Sequence, residues 1–430
     1  MCISDIESIS QLELVSERER KIVRERGGRE TMMIIIMMMM MMMMMITTSR
    51  STPQCRNETG SGFNLTAMAL TRRDIPDTHC QDGSMAKMYV RSCCNGPDRG
   101  DFCNVTQKTP RWIIVFGNGN EDAWCWDEKS CESREKNLTS SKYLPEYFQR
   151  NGTHRFDEKV GIFSKSGEGN PNFYASYSVF VPSCSSDLFL GASLGSEPPY
   201  FRGSIIARQV LSTLQDEMIA SASQSPNQEL DVIIVGGAGI LASISRLSTY
   251  LPSNASLYVV CDGCMMFDDT KGESTKCDEN ESPLNCKPSS TLRAATSLWN
   301  VETFSWCKSR HIWECLLFEN AQHSSTFPLL VQQALYDSSI VTQNNDKTPE
   351  QIREMINTSL SSERVNVRIG SACSSPSSIF TTESVFSVRY GQGLPPPNAA
   401  AALYSLIDGR GGTNFVDTCH GESCNPTCSS

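Results

Sequence analysis

One segment of the chain has the Gly-x-Ser-x-Gly spacing that presents a nucleophilic serine in many hydrolytic enzymes: Gly191-Ala-Ser193-Leu-Gly195. A serine of this kind lies on a sharp strand-to-helix turn, where its hydroxyl projects and the next backbone N–H faces the oxyanion. Pro198 and Pro199 follow here, and proline opposes the helix that such a turn must start. We therefore keep Ser193 only as an alternative nucleophile.

The strand–turn–helix context itself occurs at residues 231–250. Asp-Val-Ile-Ile-Val at 231–235 is typical of a buried strand, Gly236-Gly237 of a turn, and residues 238–250 of a helix. Positions 226–242 contain no serine, threonine or cysteine, and Ser243 would lie inside the helix. The best-placed turn therefore carries no nucleophile.

A hydrolytic triad also needs an acid and a histidine after the nucleophile. Asp337 ends a strand-like run that starts at Pro328, where its carboxylate could orient a histidine or simply cap the following turn. The only histidine after Asp337 is His420, which stands between Cys419 and Cys424. The others are predicted to be surface or loop residues: His79, His154, His311 and His323.

Short apolar runs alternate with helical stretches along the body of the chain. The runs lie at 112–116, 178–182, 231–235, 257–261, 328–335 and 384–389, and a late helix is predicted at 398–406. This alternation predicts an α/β protein with a mostly parallel central sheet flanked by helices. Residues 263–327 carry five cysteines and much polar sequence, so we interpret them as a disulfide-tied insertion near the carboxyl edge of the sheet.

Cysteine usage indicates an oxidising compartment. All but Cys2 of the 19 cysteines lie between Cys55 and Cys428, and a chain this rich in cysteine is predicted to be disulfide-rich. Cys261 and Cys264 have the spacing of metal ligands, but no second pair completes a site, so no metal is predicted. The net charge of −10, without a basic run in the body, argues against nucleic acid as a partner.

Eight Asn-x-Ser/Thr sequons support the same compartment and are predicted glycosylation sites: Asn57, Asn64, Asn104, Asn137, Asn151, Asn254, Asn280 and Asn357. Residues 32–46 are 15 apolar residues after a basic stretch, which is the length of a signal-peptide core and short for a bilayer span. We expect a leader over residues 1–50 and one domain over 51–430. Cleavage gives a secreted or luminal protein; an uncleaved leader gives a type II anchor, the only membrane contact expected.

Several local sequences resemble those of the pectin acetylesterase and Notum carboxylesterases. They include Cys80-Gln-Asp-Gly-Ser84, Trp124-Cys-Trp126, Cys184-Ser-Ser-Asp187, the spacing of Asp262 and Asp268, residues 328–337, and the closing cluster Cys419, Cys424 and Cys428. They follow the family's order over nearly the whole body. The resemblance implies an α/β-hydrolase fold and a serine carboxylesterase without a cofactor.

The resemblance also implies where the site residues should be. The nucleophile position falls at Gly237, the acid at Asp337, and the histidine position, three residues after Cys373, at Pro376. The oxyanion segment would include Gly117 and Gly119 together with Ala238, and Glu121 and Asp122 add carboxylates to it. The family's serine and histidine are thus both replaced.

Three functions remain open from the sequence. The first is an inactive family member that still binds acyl or acetylated-carbohydrate ligands, with an acetylated polysaccharide or an acylated protein as partner. The second is an active carboxylic-ester hydrolase with an unrecognised nucleophile, such as Ser193 with His420. The third is a structural cell-surface glycoprotein.

We predict that few free thiols will be found in the denatured, unreduced protein. The reason is that cysteines between Cys55 and Cys428 should be paired in an oxidising compartment. Titration with a thiol reagent before and after reduction measures the difference. A majority of reactive thiols before reduction would contradict the compartment assignment.

Overall fold

The computed structural model describes part of the chain. The described residues are 66–69, 78–91, 109–117, 124–143, 161–163, 172–173, 176–223, 225–268, 277, 286–309, 311–344, 346–374, 398–409, 413–421, 424–425 and 428. All of them belong to the compact unit Gly60–Ser430. Several predictions lie outside the described residues: the leader, the strand at 384–389, Gly119, Pro376, His154, and the sequons at Asn57, Asn64, Asn104, Asn151 and Asn280.

A nine-stranded sheet runs through the described residues in the order β1-β2-β4-β3-β5-β6-β7-β8-β9. The strands are β1 (Thr66–Ala69), β2 (Lys87–Arg91), β3 (Arg111–Phe116), β4 (Tyr177–Val181), β5 (Leu230–Gly236), β6 (Ala255–Asp262), β7 (Leu329–Ala334), β8 (Val367–Ser371) and β9 (Thr413–Val416). β2 runs antiparallel to β1 and β4, and all other pairs are parallel. The predicted mostly parallel sheet is confirmed.

β5 is the central strand, as its sequence predicts. It pairs in parallel with β3 on one side and β6 on the other, and all seven of its residues are buried. Val232 and Ile234 belong to one core cluster, whereas Ile233 and Val235 belong to another. Because side chains alternate across a strand, this division shows that both faces of the sheet are covered.

Helices supply the covering layers. They are α1 (Glu128–Glu132), α2 (Lys136–Thr139), α3 (Gly203–Ala222), α4 (Ala238–Leu247), α5 (Pro288–Leu298), α6 (Phe318–Ala321), α7 (Ser338–Gln343), α8 (Pro349–Leu360) and α9 (Ala399–Ile407). Buried residues of α3, α4 and α8 join the first core cluster, and those of α9 join the second. Within the described residues, no helix is both long and apolar enough to cross a membrane.

Residues 263–327 contribute a core of their own. Trp299 and Trp313 pack there with Trp124 and Trp126 from the segment that follows β3. The indole N–H of Trp299 donates to the backbone oxygen of Cys125 at 3.0 Å. The segment therefore packs on the residues after β3, although its polar sequence suggested little buried structure.

Disulfides join all the cysteines that the structure describes. The pairs are Cys80–Cys184, Cys125–Cys131, Cys261–Cys264, Cys277–Cys286, Cys307–Cys315, Cys373–Cys428 and Cys419–Cys424. The predicted disulfide-rich character is confirmed, and the closing cluster is tied to the body through Cys373. Cys261 and Cys264, the pair with metal-ligand spacing, are bonded to each other.

We predict that Ile234→Ala lowers the free energy of unfolding by about 2–5 kcal/mol, because it removes buried methylene groups from the central strand and leaves a cavity. Ser256→Ala, at an exposed position in β6, should stay within about 0.5 kcal/mol of the unsubstituted protein. Denaturant unfolding with the disulfides intact measures both. Equal effects of the two substitutions would contradict the central placement of β5.

Candidate active site

The carboxyl edge of the sheet brings the predicted oxyanion and nucleophile positions together. Val115 of β3 pairs with Val235 of β5, so Gly117 and Gly237 each lie two residues beyond the same register pair. Adjacent strands are about 4.8 Å apart, so the chain leaves β3 and β5 at the same level of the sheet. Gly117 has φ +119°, a conformation that side chains rarely adopt, and its N–H donates to the Val181 oxygen at 3.0 Å.

Gly237 forms the turn between β5 and α4. It is the N-cap of α4 with φ −81° and ψ −164°, and it is only half-buried. The next residue, Ala238, begins the helix and is buried. Because the first N–H groups of a helix lack intrahelical partners and Gly237 offers no capping side chain, this turn presents donors suited to a negative oxygen. It presents no nucleophile.

Asp337 lies beyond the end of β7 and is buried with 2% exposure. One carboxylate oxygen accepts hydrogen bonds from the Ser339 N–H at 2.9 Å and hydroxyl at 2.5 Å, and from the Ile340 N–H at 3.4 Å. These contacts make Asp337 the N-cap of α7. Burial raises the pKa of Asp337, and the hydrogen bonds from Ser339 and Ile340 oppose that rise.

Gln333 is a site residue that the sequence analysis missed. Its Nε2 donates to the second oxygen of Asp337 at 2.7 Å, and its Oε1 accepts from the Met265 N–H at 3.2 Å. The side chain therefore connects the acid to the segment after β6. The four-residue spacing of Gln333 and Asp337 was visible, but the bend after β7 that brings them together was not.

The segment that carries the predicted histidine position runs beside the acid. The Tyr336 N–H donates to the Cys373 oxygen at 3.3 Å, and the Ser338 N–H donates to the Ser374 oxygen at 3.0 Å. Pro376 is two residues further along, outside the described residues. Residues 373 and 374 therefore run beside the segment that carries Asp337, and the assignment of the histidine position to Pro376 remains a prediction.

His420, the alternative base, lies beside a different carboxylate. Its Nδ1 is 3.5 Å from Glu350 Oε2, and its side chain is 72% exposed. Both oxygens of Glu350 accept from the Tyr336 hydroxyl, at 2.9 and 3.1 Å. The hydrogen bonds of Asp337 go to Gln333, Ser339 and Ile340, so the structure does not pair His420 with the predicted acid.

Ser193, the alternative nucleophile, lies in a loop. Its N–H donates to the Phe201 oxygen at 2.9 Å, and the next described helix along the chain, α3, begins only at Gly203. The turn that matches the Gly-x-Ser-x-Gly pattern therefore lacks the strand and helix that give the pattern its chemistry.

Asp187 is a second residue whose role the sequence did not reveal, although its Cys-Ser-Ser-Asp segment was recognised. The side chain is fully buried. It accepts from the Ser185 hydroxyl at 2.6 Å, the Phe189 N–H at 3.1 Å and the Gly203 N–H at 2.7 Å. Burial raises the pKa of Asp187 to about 6, against the opposing effect of these hydrogen bonds.

Three predicted glycosylation sites fall within the described residues. Asn254 is exposed in the turn before β6. Asn137 lies in α2 and Asn357 near the end of α8. Glycosylation at all three remains a prediction.

The sheet order, the antiparallel β2 and the strand–turn–helix at Gly237 define an α/β-hydrolase fold. A solved structure of the Wnt deacylase Notum from Drosophila has the same fold, with a TM-score of 0.65 and 22% identity over 85% of this chain and 99% of that chain. The predicted fold class is confirmed.

Residues 60–371 match the pectinacetylesterase family model, and the chain belongs to that family. It is 25% identical over 272 residues to palmitoleoyl-protein carboxylesterase NOTUM of Mus musculus, covering 59% of this chain and 50% of the relative. It is 22% identical over 372 residues to notum1a of Danio rerio, covering 78% and 70%. The chain thus spans about half the length of the mouse relative.

We predict that Asp337→Ala lowers the free energy of unfolding by about 1–2 kcal/mol, because α7 loses its N-cap. Asp337→Asn, which can still cap, should cost less.

The carboxyl group of Asp337 should also make stability depend on pH. Burial raises the pKa of Asp337, so the folded protein binds the carboxyl proton more tightly than the unfolded chain does. The carboxyl group's contribution to stability is therefore largest below about pH 4 and declines as pH rises.

Denaturant unfolding of the unsubstituted protein, Asp337→Ala and Asp337→Asn from pH 3 upward tests the capping role and the pH dependence. The stability difference between the unsubstituted protein and Asp337→Asn should decrease as pH rises. A difference that grows with pH would mean that the folded state lowers this pKa, and an unchanged stability of Asp337→Ala would contradict the capping role.

Proposed function

We propose that this chain is a secreted member of the pectinacetylesterase family that binds an acyl or acetyl-bearing ligand without hydrolysing it. The observation that carries the proposal is the turn at Gly237, which starts α4 directly after β5 but has no side chain that can attack a carbonyl. Residues 226–242 offer no hydroxyl or thiol in any register.

The acid side of the site supports the same conclusion. Asp337 is present, but the four described groups that donate to it, from Gln333, Ser339 and Ile340, include no imidazole. The position implied for the histidine is Pro376, whose side chain has no group that can accept or transfer a proton. Loss of the nucleophile or the base of a serine hydrolase lowers turnover by roughly 10⁶. Here both are replaced.

The retained frame favours a binding role. Gly117 and Gly237 still follow adjacent strands, α4 still starts at the turn, and Ala242 of α4 belongs to a core that contains several tryptophan side chains. The relatives are named as palmitoleoyl-protein carboxylesterases, so an O-acylated protein is the ligand class we favour, ahead of an acetylated polysaccharide. The many disulfides and sequons support secretion.

We predict that a fluorophosphonate probe will not label the native protein stoichiometrically, because an activated serine needs a base within about 3 Å. Intact-mass spectrometry after incubation measures the labelling, with an active serine esterase as the positive control. Labelling that disappears in Ser193→Ala would make Ser193 the nucleophile and overturn the proposal. Labelling at any other serine would overturn it as well.

Variants that reintroduce the serine and histidine of the family test the same proposal. Gly237→Ser alone should remain inactive on acetyl esters, since position 376 still supplies no base. Gly237→Ser with Pro376→His should gain a low activity, limited by Glu121 and Asp122 in the oxyanion segment of the sequence. Gly237→Ala with Pro376→His is the matched control and should stay at background.

A further inference from the structure

Residues 184–191, which we call the wall loop, connect β4 to the approach of α3 and touch the oxyanion side of the candidate site. The Phe189 ring packs edge-on against Phe116, the last residue of β3, with ring centroids 5.3 Å apart. The Cys125 N–H donates to the Ser186 oxygen at 3.1 Å. The wall loop therefore contacts both ends of the segment between β3 and Trp124.

The wall loop also touches the nucleophile side. The Leu188 carbonyl lies so close to Gly239 that a Cβ at this position would overlap it. Gly239 is the second residue of α4, two positions after Gly237. Any displacement of the wall loop would therefore change the surroundings of the turn, because loop and helix are in direct backbone contact.

The wall loop adopts a conformation that its own sequence disfavours. Ser186, Leu188 and Phe189 have φ values of 50°, 54° and 60°, in the left-handed region that costs free energy for residues with a side chain. Such backbone persists only where the surrounding structure holds it, and it is concentrated at functional sites. Contacts with the surrounding structure must therefore stabilise this loop conformation.

Asp187 provides that hold. Its carboxylate accepts hydrogen bonds from the Phe189 N–H within the loop and from the Gly203 N–H in the first turn of α3. The residue before Gly203, Arg202, gives α3 no side-chain cap, so Asp187 caps this 20-residue helix from the loop. A Cβ at Gly191 or Gly203 would overlap the carboxylate, so the site is closed tightly around it.

We propose that Asp187 is the positioning residue of the cleft: without touching a ligand, it fixes the wall loop, which packs on Phe116 at the end of β3 and on the start of α4 just after Gly237. The inference deepens the proposed function and rests on it for the identity of the cleft. The chemistry is that of a buried carboxylate holding strained backbone through neutral donors.

The charged groups on the neighbouring elements have other contacts. Arg202 of α3 donates to the Gly195 oxygen at 2.8 Å and lies 3.0 Å from His79 Nδ1. Arg134 donates to the Ser186 hydroxyl at 3.4 Å. The pKa of the Asp187 carboxyl group is set by its burial and by neutral hydrogen-bond donors. These donors belong to Ser185, Phe189, Gly191 and Gly203.

This environment gives the proposal a pH signature. Burial raises the pKa of Asp187 to about 6, whereas an exposed aspartate titrates near 3.9. The closed loop therefore binds the proton more tightly than an open loop would, so raising the pH favours opening. Between pH 5 and pH 7, the equilibrium constant for opening should rise about tenfold.

Amide hydrogen exchange of the ligand-free protein tests the proposal, with the intrinsic pH dependence of exchange removed. Protection of peptides covering 184–191 and 238–242 should fall about tenfold from pH 5 to pH 7. Asp187→Asn should weaken protection in both peptides and abolish the pH dependence. Asp231→Asn is the matched control: Asp231 is also buried with a raised pKa, but it pairs with Arg111 at the other end of β5.

Ser185→Ala, which removes one hydrogen bond to the carboxylate, is a milder variant should Asp187→Asn fail to fold. It should weaken the same two peptides by a smaller factor. Two results would overturn the proposal. One is hydrogen-exchange protection in the native protein that does not change with pH; the other is a loss of protection in the variants that is spread evenly over the chain.

Binding of palmitoleic acid, measured by calorimetry, separates the two proposals. Weaker binding by Ser185→Ala at unchanged melting temperature, together with the exchange result, supports the positioning role. Failure of the native protein to bind the fatty acid would count against the proposed function, while the exchange result would still decide whether Asp187 holds the loop.

Discussion

The parallel pairing of β3 with β5 is the constraint on which the site depends. Because Val115 lies opposite Val235, Gly117 and Gly237 each follow their strand at the same level of the sheet. The pairing is held by apolar burial on both faces of β5, so this geometry depends on the core and not on any catalytic side chain. A chain can therefore lose its serine and histidine and still keep the arrangement of the cleft.

The two buried carboxylates described near the site each have a structural task that does not require catalysis. Asp337 caps α7 and accepts from Gln333, and Asp187 caps α3 from the wall loop. Buried carboxylates are costly to leave unpaired, which explains why both are surrounded by donors. Retention of an acid is thus weak support for activity, and the groups that hold the frame are separable from those that would perform the reaction.

The sequence predicted the buried parallel strands well, since β3 to β7 are dense runs of apolar residues bounded by turn residues. It did not predict β1, β2, β8 or β9, which are short or less apolar, nor the 20-residue helix α3, whose small and polar residues blur its periodicity. Gly237 and Asp337 were assigned to the site from a family resemblance, and their assignment remains a prediction. Gln333 and Asp187 could not be assigned, because their contacts depend on where loops turn back onto helices, and no local pattern encodes that.

The central claim is that this cleft binds an acylated ligand and leaves the ester intact. A peptide carrying a palmitoleoyl group on a serine hydroxyl, incubated with excess native protein and followed by mass spectrometry, tests it most directly. We expect the protein to retain the peptide, and the peptide to be recovered with its acyl group, which is lost no faster than in buffer alone. Release of free palmitoleic acid faster than in buffer, in amounts that exceed the protein present, would contradict it.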